Sequence, residues 1–352
     1  MLLVFVLAGV LWGIGAMMNT PRKARWLMTG LLYVVVLAIQ VALPAGHPLR
    51  MATGESPALW LIVGGFAAIA AGYRAVLRKL RSHAEVTEAK VAPPETSDGP
   101  FTDTELNRYA RHIVLREVGG LGQKRLKDAK VLVVGAGGLG APVLQYLAAA
   151  GVGTIGVIDD DTVENTNLQR QTIHTDDRIG MPKVFSAQAA MEAQNPFVTV
   201  RPYHRRLTDD VVDDLVAEYD LVIDGTDNFD TRYRVNAAAV RAGVPLISGA
   251  LTQWEGQVSV FDPAHDAPCY RCIFPEAPAA ELAPNCAEAG VIGPLPGVVG
   301  SMMAVEAIKL ITGAGTPLRG EMVIYDALYG ESRKIALARR KDCETCAGVV
   351  EG

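Results

Sequence analysis

The side chains with the most chemistry are gathered in the C-terminal two-thirds of the chain. GAGGLG contains Gly135, Gly137 and Gly140 in GxGxxG spacing. Small residues there let phosphate approach the backbone, and the following helix offers free N–H groups to an anion. Asp159 follows at roughly the ~20-residue spacing from which an acid accepts ribose hydroxyls. Asn167, Arg170 and Gln171 then lie close together, and Lys183 follows a Gly-Met-Pro turn. Two cations near a pyrophosphate suit a triphosphate, whose transfer depends on charge stabilisation and positioning. Asp224, Asp227 and Asn228 close a later apolar strand, where a carboxylate can hold Mg²⁺ on phosphate oxygens. Two bland readings compete: a glycine turn without ligand, and an aspartate that only caps the next helix.

Four of the five cysteines form two CxxC pairs, Cys269 with Cys272 and Cys343 with Cys346. Four thiolates suit tetrahedral Zn²⁺ in a closed structural site, stapling the segment after GQVSVF to the C-terminus. A redox CxxC is the competitor, and two such pairs favour zinc. Cys286 stands apart in a Pro- and Ala-rich loop, and a loop thiol is a candidate nucleophile.

The elements that must position these groups follow from periodicity. Val131 to Val134 reads as a buried strand, Val143, Leu144 and Leu147 as the apolar face of a helix, and a second strand ends at Asp159. That is a right-handed βαβ unit. Leu221 to Ile223 supplies a further buried strand whose carboxyl end carries the acids. The fold class is α/β, a Rossmann-like doubly wound sheet with a zinc-stapled C-terminal part.

About three transmembrane helices are expected ahead of it. Residues 1–18, 26–43 and 57–73 carry no charge, each near the ~20 residues that span a bilayer. Arg22, Lys23 and Arg25, then Arg74, Arg78, Lys79 and Arg81, put both basic flanks on the cytoplasmic side. The expectation is a multi-pass inner-membrane protein with its catalytic domain in the cytoplasm: anchor 1–81, polar linker 82–102, domain 103–352. Disulfides are rare in that compartment. GVVGSMMAVEAIKLITG is also apolar, but Glu306 and Lys309 interrupt it and glycines bracket it, so it reads as a domain helix. The net charge of −5 gives no support to nucleic-acid binding.

RYARHIVLREVGGLGQKRLKDAKVLVVGAGGLG, DTVENTNLQRQTIH, GMPK, DGTDN, CYRC, NCAEAGV and CETC, in that order, resemble the MoeB and ThiF adenylyltransferases, relatives of the ubiquitin-activating enzymes. The resemblance covers roughly residues 103–349 and leaves out the apolar N-terminal part. It implies Mg·ATP as co-substrate and adenylylation of the C-terminal Gly-Gly tail of a ubiquitin-like sulfur carrier, with release of pyrophosphate. It further implies Gly138 against the phosphates, Asp159 on the ribose, and Asn167, Leu168, Gln169 and Arg170 along the nucleotide. Lys183 becomes the second phosphate cation and Asp227, beside Asn228, the magnesium ligand. Arg111 matches an arginine sent into the partner's site, hence a homodimer. The tetrathiolate zinc and a Cys286 that forms a thioester or acyl disulfide in some relatives belong to the same pattern. With no sulfurtransferase segment after Cys346, a separate protein is the expected sulfur donor. Three alternatives are an NAD-dependent oxidoreductase, a related enzyme acting on modified tRNA, and a catalytically silent membrane scaffold.

Overall fold

The computed structural model describes residues 2–18, 20–54, 56–91, 99–277 and 289–349. The chain divides into two compact units, Met1–Glu95 and Thr96–Gly352.

In the first unit the apolar runs form α1 (Leu2–Met17), α2 (Arg22–Ala42), the short α3 (Pro48–Thr53) and α4 (Pro57–Val91). Val4, Val36 and Trp60 pack together, and the Tyr33 hydroxyl donates to the Trp60 carbonyl at 2.8 Å. Most other large apolar side chains point outward; Leu27, Phe66 and Ile69 are exposed by 76%, 71% and 70%. Helices apolar on every face belong in a core or a bilayer rather than in water. Lys23–Ala42 and Pro48–Arg74 are long and apolar enough to cross a membrane, whereas Leu2–Met17 is shorter. The stretch read as linker from residue 82 departs from expectation. Helix α4 continues to Val91, because SHAEVTEAKV is rich in Ala, Glu and Lys and contains no proline.

The second unit opens with α5 (Asp103–Ile113) and α6 (Gly119–Asp128). Thr102 and Glu105 form a reciprocal capping box at the start of α5. The chain then alternates through β1 (Lys130–Val134), α7 (Gly140–Ala150), β2 (Thr154–Ile158), α8 (Lys183–Gln194), β3 (Thr199–Tyr203), α9 (Val212–Ala217), β4 (Leu221–Asp224), α10 (Phe229–Ala242) and β5 (Leu246–Leu251). It ends with β6 (Glu255–Phe261), α11 (Tyr270–Ile273), α12 (Pro294–Thr312), β7 (Glu321–Asp326) and β8 (Glu331–Ala336).

These strands form one eight-stranded sheet in the order β3-β2-β1-β4-β5-β6-β7-β8. The first five are parallel and the last three antiparallel. The winding reverses between β1 and β4, where Val134 pairs with Ile158 on one side and Asp224 on the other. Three strand ends therefore finish level, at the edge where open α/β sheets bind ligands.

Alternation along β1 sends Val131 and Val133 into one core layer with Leu144, Leu147, Val299 and Met303, and Leu132 and Val134 into another with Val222, Val235 and Phe261. Helix α12 is long and apolar enough to cross a membrane, but half of that window (50%) is buried, against 11% and 6% for Lys23–Ala42 and Pro48–Arg74. It is a domain helix, and its buried Glu306 is paired with Lys309 and accepts from the Leu318 N–H.

The turn from α7 into β2 brings Gly153 against backbone: a Cβ there would overlap the Lys127 carbonyl oxygen, whereas one on Gly120 would meet nothing. Gly153→Ala is expected to cost about 1–3 kcal/mol or more, lowering the melting temperature by roughly 2–10 °C. Gly120→Ala, inside α6, should leave it unchanged or slightly raised. Thermal melts of the purified variants, followed by circular dichroism, check both.

Candidate functional site

At the end of β1 the chain must turn sharply into α7. Gly135 does so with φ of 95°, in the left-handed region, and a Cβ on Gly140 would overlap the Gly135 carbonyl. Gly140 is thus a packing residue behind the loop rather than a lining one. The Gly135 N–H donates to the Ile158 carbonyl at 2.9 Å, extending the β1–β2 ladder into the loop. Leu139, at the N-cap of α7, makes no side-chain cap; the Ala141 N–H donates to the Gly137 carbonyl at 2.9 Å and Pro142 has no N–H, so an anion there would meet the loop backbone and the positive end of this eleven-residue helix.

Asp159 lies just beyond β2. Its Oδ2 accepts from the Ala136 N–H at 2.7 Å and its Oδ1 from the Asp161 N–H at 2.8 Å. Burial raises its pKa above the usual carboxylate value, while Lys183 and the two N–H groups pull the other way. The carboxylate therefore shapes the glycine loop as well as facing the cleft. Lys183 opens α8, is only 5% exposed, and donates from Nζ to Asp161 Oδ2 at 2.7 Å. A buried ammonium needs such a partner, and an arriving phosphate could share or replace it. Arg170 is half-buried, with Nη1 donating to the Thr166 carbonyl at 3.0 Å.

The acids after β4 divide into two roles. Asp224 is buried and accepts from the Thr226 N–H at 3.0 Å, with Arg232 3.6 Å away. Arg232 itself donates to Ser248 Oγ at 2.9 Å, to the Gly249 carbonyl at 2.8 Å and to the Thr226 carbonyl. This buried pair locks the turn that follows. Asp227, on that turn, is exposed and has no hydrogen-bond or ion-pair partner among the described residues. The helix cap falls to Asn228, whose Oδ1 accepts from the Thr231 N–H at 2.8 Å.

Gly135, Gly137, Gly138, Asp159, Arg170, Lys183, Asp227 and Asn228 all line one cleft of about 780 Å³. That is within the range of small-molecule sites. Asn167 is buried, accepts from the Glu164 N–H at 3.0 Å, and lines an adjoining cleft of about 290 Å³ together with Lys183. Leu168 and Gln169 line neither cleft. Nor does Arg111, which is exposed on the last turn of α5 and has no partner among the described residues. Cys286 lies outside the described residues.

The sequence reading passed over Arg205 and Arg206, which reach the same cleft from the loop after β3. Two adjacent arginines beyond an edge strand look like ordinary surface charge. Only the sheet order shows that β3 ends beside β2. Arg232 was equally silent, because nothing local marks an arginine as buried.

The four paired cysteines form a second, separate cluster. All are buried, and none is in a disulfide. The sulfurs of Cys269 and Cys272 are 3.8 Å apart, those of Cys269 and Cys343 3.6 Å, and those of Cys272 and Cys346 3.4 Å. One ion bound tetrahedrally at ~2.3 Å requires sulfur separations of about 3.8 Å, so the donor set fits a single metal. Burial raises the Cys343 thiol, but backbone N–H groups of Thr345 and Cys346 stabilise its thiolate and bring its pKa down to about 7.

Residues 109–345 match the ThiF family. The sulfur carrier protein adenylyltransferase of Thermus thermophilus is 51% identical over 250 residues, spanning 70% of this chain and 92% of that protein. The molybdopterin-synthase adenylyltransferase of Salmonella typhimurium is 49% identical over 246 residues, spanning 70% and 98%. The crystal structure of E. coli MccB with ATP resembles this fold with a TM-score of 0.60 at 26% identity, covering 72% of this chain and 76% of that one. With a match running from α5 through the glycine loop and the cleft to Thr345, the chain belongs to the ThiF family.

Proposed function

We propose that the protein uses ATP to adenylylate the C-terminal glycine of a ubiquitin-like sulfur carrier, releasing pyrophosphate. One observation carries this reading: Arg170, Lys183 and Asp227 converge with the glycine loop on a single cleft at the sheet's switch point. A nicotinamide enzyme has no use for two cations and a partner-free carboxylate there.

The chemistry needs charge control more than a base. The carrier's terminal carboxylate is already a nucleophile at neutral pH. Its oxygen attacks the α-phosphorus, the bond to the bridging oxygen of the β-phosphate breaks, and that oxygen leaves with pyrophosphate. Negative charge grows on the non-bridging oxygens and on the leaving group. The loop N–H groups and the start of α7 would face the phosphates, with Arg170 and Lys183 neutralising the growing charge. Asp227, free at the mouth, would hold Mg²⁺, which when bound neutralises the phosphate chain. The mixed anhydride so formed activates the glycine for sulfur from a separate donor.

Four accompanying features belong to the reading. The exposed side chains of Val114, Leu115 and Leu121 (74%, 48% and 78%) lie near Arg111 in sequence, and such an apolar surface suits a second copy that would receive Arg111. The apolar helices of the first unit serve as a membrane anchor, with the basic flanks keeping the second unit in the cytoplasm. The four-cysteine cluster would hold zinc in a structural role, and the Cys286 thiolate would take the carrier's acyl group as a thioester, with AMP leaving.

Lys183→Ala and Asp227→Ala are each expected to lower carrier-dependent ATP–pyrophosphate exchange by roughly 10²–10³-fold, and Asp227→Ala, altering an exposed side chain, should leave the melting temperature unchanged. Full exchange in either variant removes the basis of the reading. Elemental analysis should find one zinc per chain, lost in Cys343→Ser. Removing it with a chelator should lower the melting temperature, since metal-binding energy is folding energy here.

A further inference from the structure

His174 makes no contact with the cleft, yet it joins the two parts of the structure that address phosphate. The ring is 5% exposed. Its Nε2 lies 2.9 Å from the Ala136 carbonyl oxygen and its Nδ1 2.9 Å from Ser186 Oγ. A carbonyl only accepts, so the hydrogen belongs on Nε2, and the neutral ring then accepts from the Ser186 hydroxyl through Nδ1. Burial holds the imidazole below its usual pKa, in keeping with the neutral form.

Both partners matter to the site. Ala136 sits between Gly135 and Gly137, residues with no Cβ to restrict the loop. Its N–H is fixed by Asp159 and its carbonyl by His174. Ser186 lies one helical turn after Lys183, on the same side of α8. Lys183 is bonded to Asp161, whose N–H is bonded to Asp159. The result is a closed ring of contacts: Ala136 to His174 to Ser186, along α8 to Lys183, then through Asp161 and Asp159 back to Ala136.

We propose that His174 is a positioning residue, latching the glycine loop to the helix that carries Lys183 so that loop N–H groups and ammonium meet the same phosphate chain. The inference rests on the adenylyltransferase reading given above. A ring of this kind fixes a distance that neither the flexible loop nor a long lysine side chain could hold alone.

The test compares His174→Ala, His174→Gln and His174→Asn in the full-length chain. The glutamine amide nitrogen reaches the position of Nε2 and can still donate to Ala136, whereas asparagine stops near Nδ1 and cannot. His174→Ala and His174→Asn are expected to raise KM for ATP in pyrophosphate exchange by roughly tenfold or more, and His174→Gln to stay within about threefold of wild type. Hydrogen–deuterium exchange of peptides covering residues 134–141 should rise in the alanine and asparagine variants and not in the glutamine variant. Melting curves separate this pattern from general destabilisation. If alanine prevents folding, the glutamine–asparagine contrast decides. Equal KM and equal loop protection in those two variants overturn the latch, as does an alanine variant within twofold of wild type. A wild-type chain with no exchange activity overturns the functional reading instead, and the loop-protection comparison still decides the latch.

Discussion

The site depends on the register of three parallel strands. Val134 is opposite both Ile158 and Asp224, so β1, β2 and β4 end together. Backbone bonds carry that alignment past the strands: the Gly135 N–H reaches the Ile158 carbonyl and the Gly225 N–H the Val134 carbonyl, each at 2.9 Å. A one-residue slip in either pairing would send the buried valines and isoleucines to the wrong faces. The hydrophobic core therefore enforces the alignment that the polar groups use. The glycine loop, Asp159 and the turn bearing Asp227 are level because Val131, Val133, Ile155, Val157, Leu221 and Ile223 must all be buried.

Charge is handled differently at each depth around this edge. Arg232 and Asp224 are almost fully buried and satisfied by one another, by Ser248 and by backbone carbonyls, as isolated charges there would be very costly. They act as scaffold. Lys183 is intermediate, buried but paired with a carboxylate that is itself 66% exposed. Asp227 is free at the rim. Rigidity comes from the inner pair, and readiness for a multiply charged ligand from the outer groups.

The two units solve opposite problems with similar apolar helices. Helix α12 is half-buried because strands and α7 cover it, and its acid is paired inside the domain. Helix α2 covers Val36 within its own unit but directs Leu27, Leu31, Val34, Val35 and Val41 outward. Composition alone barely separates the two; burial separates them clearly.

The amino-acid sequence by itself determined the βαβ unit, the glycine loop, the pairing of cysteines and the acids that close the later strand. Each is written in local spacing, which sterics and periodicity translate directly. Gly135, Lys183 and Asp227 are legible in this way, as are Cys269, Cys272, Cys343 and Cys346. Only the tertiary structure decided which acid is scaffold and which is free, since Asp224 and Asp227 look alike in DGTDN and differ in whether Arg232 can reach them. It also brought Arg205 and Arg206 to the cleft, left Leu168 and Gln169 off its lining, and extended α4 to Val91, into the first part of the expected linker. It revealed His174 as a bond between a loop and a helix far apart in the chain. These outcomes depend on strand order and on burial, sums over long-range contacts that no short stretch of sequence contains.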